Sequence, residues 1–261
     1  MTDFTRAISV QTDLFIETIA QTRPSDRVPT CPDWDADDLL WHLTRVHAFW
    51  AAILRDEART DADSEAVDGG LPERPGTRQA TIEMLRRETA DLVAELERRS
   101  DDDPAWFWLD TAQTVGSTRR MQAHEAFVHR VDAELTAGIE PSGVDSDLAA
   151  DGVAHAVSVM WAWWGTLPGF TFEPTAGIVE LCAPGQSWLV QPGRWRGVGQ
   201  SGNAYDQPGA QLVDRGTPAA SLTGDAVVLD LWLWGRGPEP AADGDEESLA
   251  ALREAQQVGM Q

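Results

Sequence analysis

The apolar residues of this chain recur at helical spacing as far as residue 165 and then change period, and nothing else in the sequence constrains the fold as strongly. Phe4, Ile8, Phe15 and Ile19 mark a first helix over 3–21, stopped by Arg23-Pro24. A second opens at Pro32-Asp33-Trp34-Asp35, where carboxylates suit the positive end of a helix dipole, and runs through Leu39, Leu43, Val46, Trp50 and Leu54. Ile82, Leu85, Leu92 and Leu96 predict a third over 78–99, ended by Asp101-Asp102-Asp103-Pro104, and Met121, Val128 and Leu135 predict a fourth over 118–136. Four amphipathic helices of this length bury their apolar faces together as a bundle. Between the second and third, residues 59–77 are rich in Asp, Glu, Gly and Pro and read as a mobile surface loop, a solvated excursion rather than a lid.

A further apolar helix over 148–164 ends at Gly165-Thr166-Leu167-Pro168-Gly169. Beyond it, 177–183 and 187–191 are β-prone runs separated by Ala-Pro-Gly, the pattern of a hairpin. Another strand is expected over 220–223, a short apolar helix over 225–234 and a terminal helix over 246–256, after the turn Asp243-Gly244-Asp245. The expected class is therefore α+β, with a helical domain over 1–165 and a smaller mixed α/β domain over 166–261.

With 42% apolar residues in 261, the chain can bury a full core, which excludes disorder as a whole-chain description. A formal net charge of −23 repels phosphate backbones and anionic lipid, so nucleic acid and membrane surfaces are not expected partners. No run approaches the roughly 20 apolar residues of a transmembrane helix. All 20 cationic residues are Arg, and without lysine no Schiff base, lysine nucleophile or phosphate-loop lysine is available. Cys31 and Cys182 lack a disulfide-framework spacing and the N-terminus lacks an apolar leader, so a cytoplasmic protein is expected, with Cys31 a buried small hydrophobe.

The five histidines carry the chemical signal: His42, His47, His124, His129 and His155. Glu125 and His129 are one turn apart on the fourth helix and reach a common point. On the second helix His42 and His47 are about 140° apart, so only one joins them. His42 shares a face with Val46, Phe49 and Ile53, and His47 shares one with Leu40, Leu43, Trp50 and Leu54, so periodicity leaves the choice open. Two imidazoles and a carboxylate leave Zn²⁺ an open position for water or a thiolate. The plainer alternative is a helix-surface ion pair. Asp132, three residues beyond His129, is placed to orient its imidazole, with a helix-surface carboxylate beside Arg130 as the equal alternative. Gly197, Gly199 and Gly202 match a dinucleotide-binding pattern, but Asn203-Ala204-Tyr205-Asp206 does not open a helix there, so a glycine-rich β-loop is expected. Most tryptophans fall at core spacing, with Trp106 and Trp108 placed to line a cleft.

The segment TCPDWDADDLLWHLTRVHAFW, followed by RRMQAHEAFVHRVDAE, resembles the mycothiol-dependent maleylpyruvate isomerase family, a branch of the DinB-like four-helix metalloproteins. GDAVVLDLWLWGRGPEP and GDEESLAALR are similar to that family's smaller C-terminal domain, so the resemblance spans nearly the whole chain. It implies a DinB-like bundle in which His42, Glu125 and His129 hold zinc or another divalent metal, with mycothiol as the thiol cosubstrate. It also implies attack on an electrophilic small molecule, as cis–trans isomerisation or as thiol S-transfer. Arg236 matches the family's active arginine, a fork suited to a carboxylate, with helix-end stabilisation as its plainer role. His47 and His124 are candidate proton carriers beside the centre, packing being the plainer role. Two departures, Asp33 before Trp34 and the long acidic loop, bear on the substrate rather than on the metal. Two rival readings remain: a non-catalytic module stabilised by metal, and a thiol-independent zinc hydrolase.

Overall fold

The computed structural model describes residues 2–199 and 201–258. The chain divides into two compact units, Met1–Ser142 and Gly143–Gln261. In the first, α1 (Phe4–Ile19), α2 (Ala36–Arg55), α4 (Arg78–Glu97) and α5 (Val115–Thr136) form the bundle, α1 lying against α5 and α2 against α4. Its core is built from the periodic positions, among them Ile8, Phe15, Leu39, Leu43, Leu85, Leu92 and Phe127, all fully buried. Cys31 is buried in the same core.

Two local devices set where these helices begin. The segment expected to open the second helix is instead a short hairpin, β1 (Arg27–Val28) with β2 (Cys31–Asp35), and the helix starts only at Ala36. Asp35 stops the strand and caps the helix: its carboxylate accepts from the backbone N–H of Asp37 (3.0 Å) and Asp38 (2.9 Å), while Asp38 accepts from the Asp35 N–H (3.2 Å). The acidic segment expected as a loop contains a nine-residue helix, α3 (Asp61–Gly69), opened by the same reciprocal arrangement between Thr60 and Asp63. Its apolar content is too low for periodicity to register, and its cap is what identifies it.

In the second unit α6 (Ser146–His155) gives way to a π-helical turn at 156–160 and a 3₁₀ turn at 163–166, so the helix expected over 148–164 is interrupted. This helix, expected to lead into the second domain, lies in the second unit, where it packs on α7 (Ala226–Leu233). The approach is close: a Cβ at Gly152 would lie 2.3 Å from Asp230 Oδ2, so only glycine fits there. The sheet runs β3 (Thr171–Pro174), β5 (Gln186–Val198), β4 (Ile178–Ala183), β7 (Pro218–Thr223) and β8 (Ala241–Gly244), and β6 (Ala204–Leu212) pairs with β5. The β4–β7 pair is parallel and the others are antiparallel. α8 (Glu246–Gln257) covers one face. The glycine pattern at 197–202 joins the antiparallel strands β5 and β6, with no helix N-terminus to hold a phosphate; Gln200 lies outside the described residues.

Candidate metal centre

α2 supplies His42 and α5 supplies Glu125 and His129, and their donor atoms all lie within 4.8 Å of one another. Glu125 Oε1 stands between the two imidazoles, 3.1 Å from His42 Nε2 and 3.2 Å from His129 Nε2. Donors on a tetrahedral zinc ion, with bonds of about 2.0–2.1 Å, stand about 3.3 Å apart. Two imidazole nitrogens and a carboxylate oxygen also form a donor set suited to a divalent ion of that kind.

The remaining groups orient these donors. His129 Nδ1 is 2.9 Å from Asp132 Oδ2, which fixes the ring and leaves Nε2 facing Glu125. Asp132 is fully buried and accepts a second hydrogen bond, 2.5 Å, from the Thr30 hydroxyl in the β1–β2 turn. The Trp34 ring of β2 lies 4.6 Å from the His42 ring, centroid to centroid. Thr30 and Trp34 were not legible as site residues from the sequence, since they precede the helix and no spacing rule links a hairpin to a residue on α5. Exposure falls from His42 to His129 across the centre: the His42 side chain is 29% exposed, that of Glu125 18% and that of His129 5%.

Burial raises the Glu125 pKa, but the adjoining His129 and His42 outweigh it and hold the carboxyl well below its usual range. Burial lowers the His129 pKa, yet Glu125 and Asp132 together push it up to about 9. Without a metal, the centre is therefore an imidazolium–carboxylate pair at neutral pH.

Of the candidate proton carriers, neither joins this cluster of donors. His47 is fully buried toward α4, its Nδ1 2.8 Å from Thr89 Oγ1. Thr89 donates its own proton to the Leu85 carbonyl (2.7 Å), so His47 donates through Nδ1 and is neutral, burial lowering its pKa to about 3. That is far below the near-neutral value expected of a proton carrier. His124 is buried edge-to-face with Phe4 of α1, ring centroids 6.0 Å apart. Arg236 belongs to the second unit, is 8% exposed, and donates from Nη1 to the Trp234 carbonyl at 2.5 Å. Trp106 stacks on Trp50 (5.7 Å), which lines a cavity, and donates from Nε1 to Asp61 of α3.

The family model described as the mycothiol maleylpyruvate isomerase N-terminal domain matches residues 5–134, and its C-terminal counterpart matches 147–251. Two solved structures share the fold: a mycothiol-dependent maleylpyruvate isomerase (TM-score 0.56, 12% identity) and a histidine-to-alanine variant of such an enzyme (TM-score 0.58, 11% identity). Each match covers 95% of this chain and 98% of the other. No protein of curated function matches the chain. With both domain models aligned in order along it, the chain belongs to the mycothiol-dependent maleylpyruvate isomerase family.

Proposed function

We propose that this protein is a metal-dependent cytoplasmic enzyme that uses mycothiol to isomerise an electrophilic small molecule across a double bond conjugated to a carbonyl. The observation that carries the reading is the convergence of His42, Glu125 and His129 on one point, in a chain of this family. His42, Glu125 and His129 would hold a divalent ion, zinc being the first choice, and such an ion would supply Lewis acidity that lowers a thiol's pKa. The residues do the rest by position. With an ion bound and the Nε2 proton of His129 released, His42 and His129 would ligate through Nε2 and Glu125 would offset the cation's charge, while Asp132 with Thr30 orients the His129 ring. The more exposed side, at His42, is where thiol and electrophile meet. Arg236, within the second unit, offers a guanidinium whose fork suits a carboxylate. The same centre suits S-transfer, which a lasting thioether product would reveal.

Elemental mass spectrometry of the purified protein tests the centre. About one zinc per chain is expected, lost in His42→Ala, Glu125→Ala and His129→Ala, with affinity about 10–100-fold weaker in Asp132→Asn. Unchanged zinc content in the three ligand variants would refute the assignment.

A further inference from the structure

Beside His42 the first unit holds a cavity of about 440 Å³, the size of a small-molecule site. Positions 38, 41, 42, 45, 46 and 49 line it at steps of three and four, so one stripe of α2 faces it, and α3 with the turn after it closes the opposite side. Four of the lining side chains are aromatic: Trp34, Trp41, Phe49 and Trp50. From His42 to Phe49 is about 10 Å along the helix, the length of a phenyl ring joined to a conjugated carbonyl.

The charges of the lining are already matched. Arg45, its one guanidinium, is 2.7 Å from Asp68 of α3, and Asp38 is 3.0 Å from Arg74. A dicarboxylate entering here would have to compete with Asp68 for Arg45 at the half-exposed mouth and stand beside Asp38, and would lose hydration wherever it reached the aromatic walls. A neutral aromatic molecule loses only weakly held water and stacks on the walls.

We infer that the electrophile of this chain is an uncharged, aromatic conjugated carbonyl compound, seated among Trp34, Trp41, Phe49 and Trp50 with its reactive end at His42, and that dicarboxylates are disfavoured. The direction in which it lies rests on the metal centre proposed above; its chemical class rests on the cavity alone.

Calorimetric titration of the zinc-reconstituted full chain with benzylideneacetone, a neutral aromatic enone, and separately with maleate, a cis dicarboxylate, tests this. Benzylideneacetone is expected to bind at least tenfold tighter. Phe49→Ala on the half-buried wall, and Val46→Trp, which fills the cavity, are expected to weaken it at least tenfold with zinc content unchanged. Asp38→Asn with Asp68→Asn should raise maleate affinity by freeing Arg45. Maleate binding as tightly as the enone, or enone binding unchanged in Phe49→Ala, overturns the inference. The same titrations on metal-free protein separate the two proposals: discrimination between the probes that persists without zinc supports the cavity assignment whatever the zinc content proves to be, and discrimination that vanishes without zinc overturns it.

Discussion

Glu125 between two imidazoles makes folding depend on pH, and would make the uptake of a metal ion at this centre depend on it too. His129, raised from 6.5 to about 9, contributes stability that is complete below pH 6.5 and lost as pH rises through about 9. Glu125, depressed below 4.5, contributes above that value and loses its contribution as pH falls through its lower folded value. In the metal-free protein the two act together most fully between pH 4.5 and 6.5. An ion binding at Nε2 must displace the His129 proton, so zinc uptake at pH 7 is expected to release about one proton. Calorimetry in buffers of different ionisation enthalpy counts it, and a count of zero would show that His129 is neutral beforehand. Of this centre, the Glu125–His129 pair was legible from its four-residue spacing. The choice between His42 and His47 was not, because both sit on partly apolar faces; the family motif selected His42, the histidine that the fold turns toward Glu125, while His47 is directed to Thr89.

Among the elements, those with strong apolar periodicity were readable and those made by capping or pairing were not. α1, α4 and α5 lie within a few residues of their predicted spans. α3 escaped notice because a solvated helix has no apolar stripe, and β6 because Pro208 and Gly209 break its alternation. Proline is tolerated there since β6 pairs on one side only, with β5. Gly152 shows how contact overrides propensity. Alanine in a helix interior gains up to about 1 kcal/mol over glycine, whereas overpacking costs about 1–3 kcal/mol. With the Asp230 carboxylate 2.3 Å from the new Cβ, Gly152→Ala is expected to destabilise the protein on balance. Denaturant unfolding measures the loss, and Asp230→Ala in the same background should restore much of it; a stabilised single variant would mean that the α6–α7 contact yields readily.

At the scale of the whole molecule, Thr30, His42, Glu125, His129 and Asp132 all lie in the first unit, and Arg236 in the second. A separation of roles follows. Arg236→Lys keeps the charge but not the fork, so zinc content should stay at about one per chain while thiol-dependent turnover falls at least tenfold. Unchanged turnover would leave Arg236 its helix-end role. No helix among the described residues is long and apolar enough to cross a membrane. Spacing along the chain was sufficient for the α+β class, the bundle helices and the proximity of Glu125 and His129, two of the three candidate donors, because helix period and i,i+4 geometry are local properties. The place where one unit ends, the hairpin that brings Trp34 and Thr30 to the centre, and the cavity between α2 and α3 depended on contacts between distant residues: His42 with Glu125, 83 positions on, and Thr30 with Asp132, 102 positions on. Such contacts follow from how faces pack, which no local period encodes.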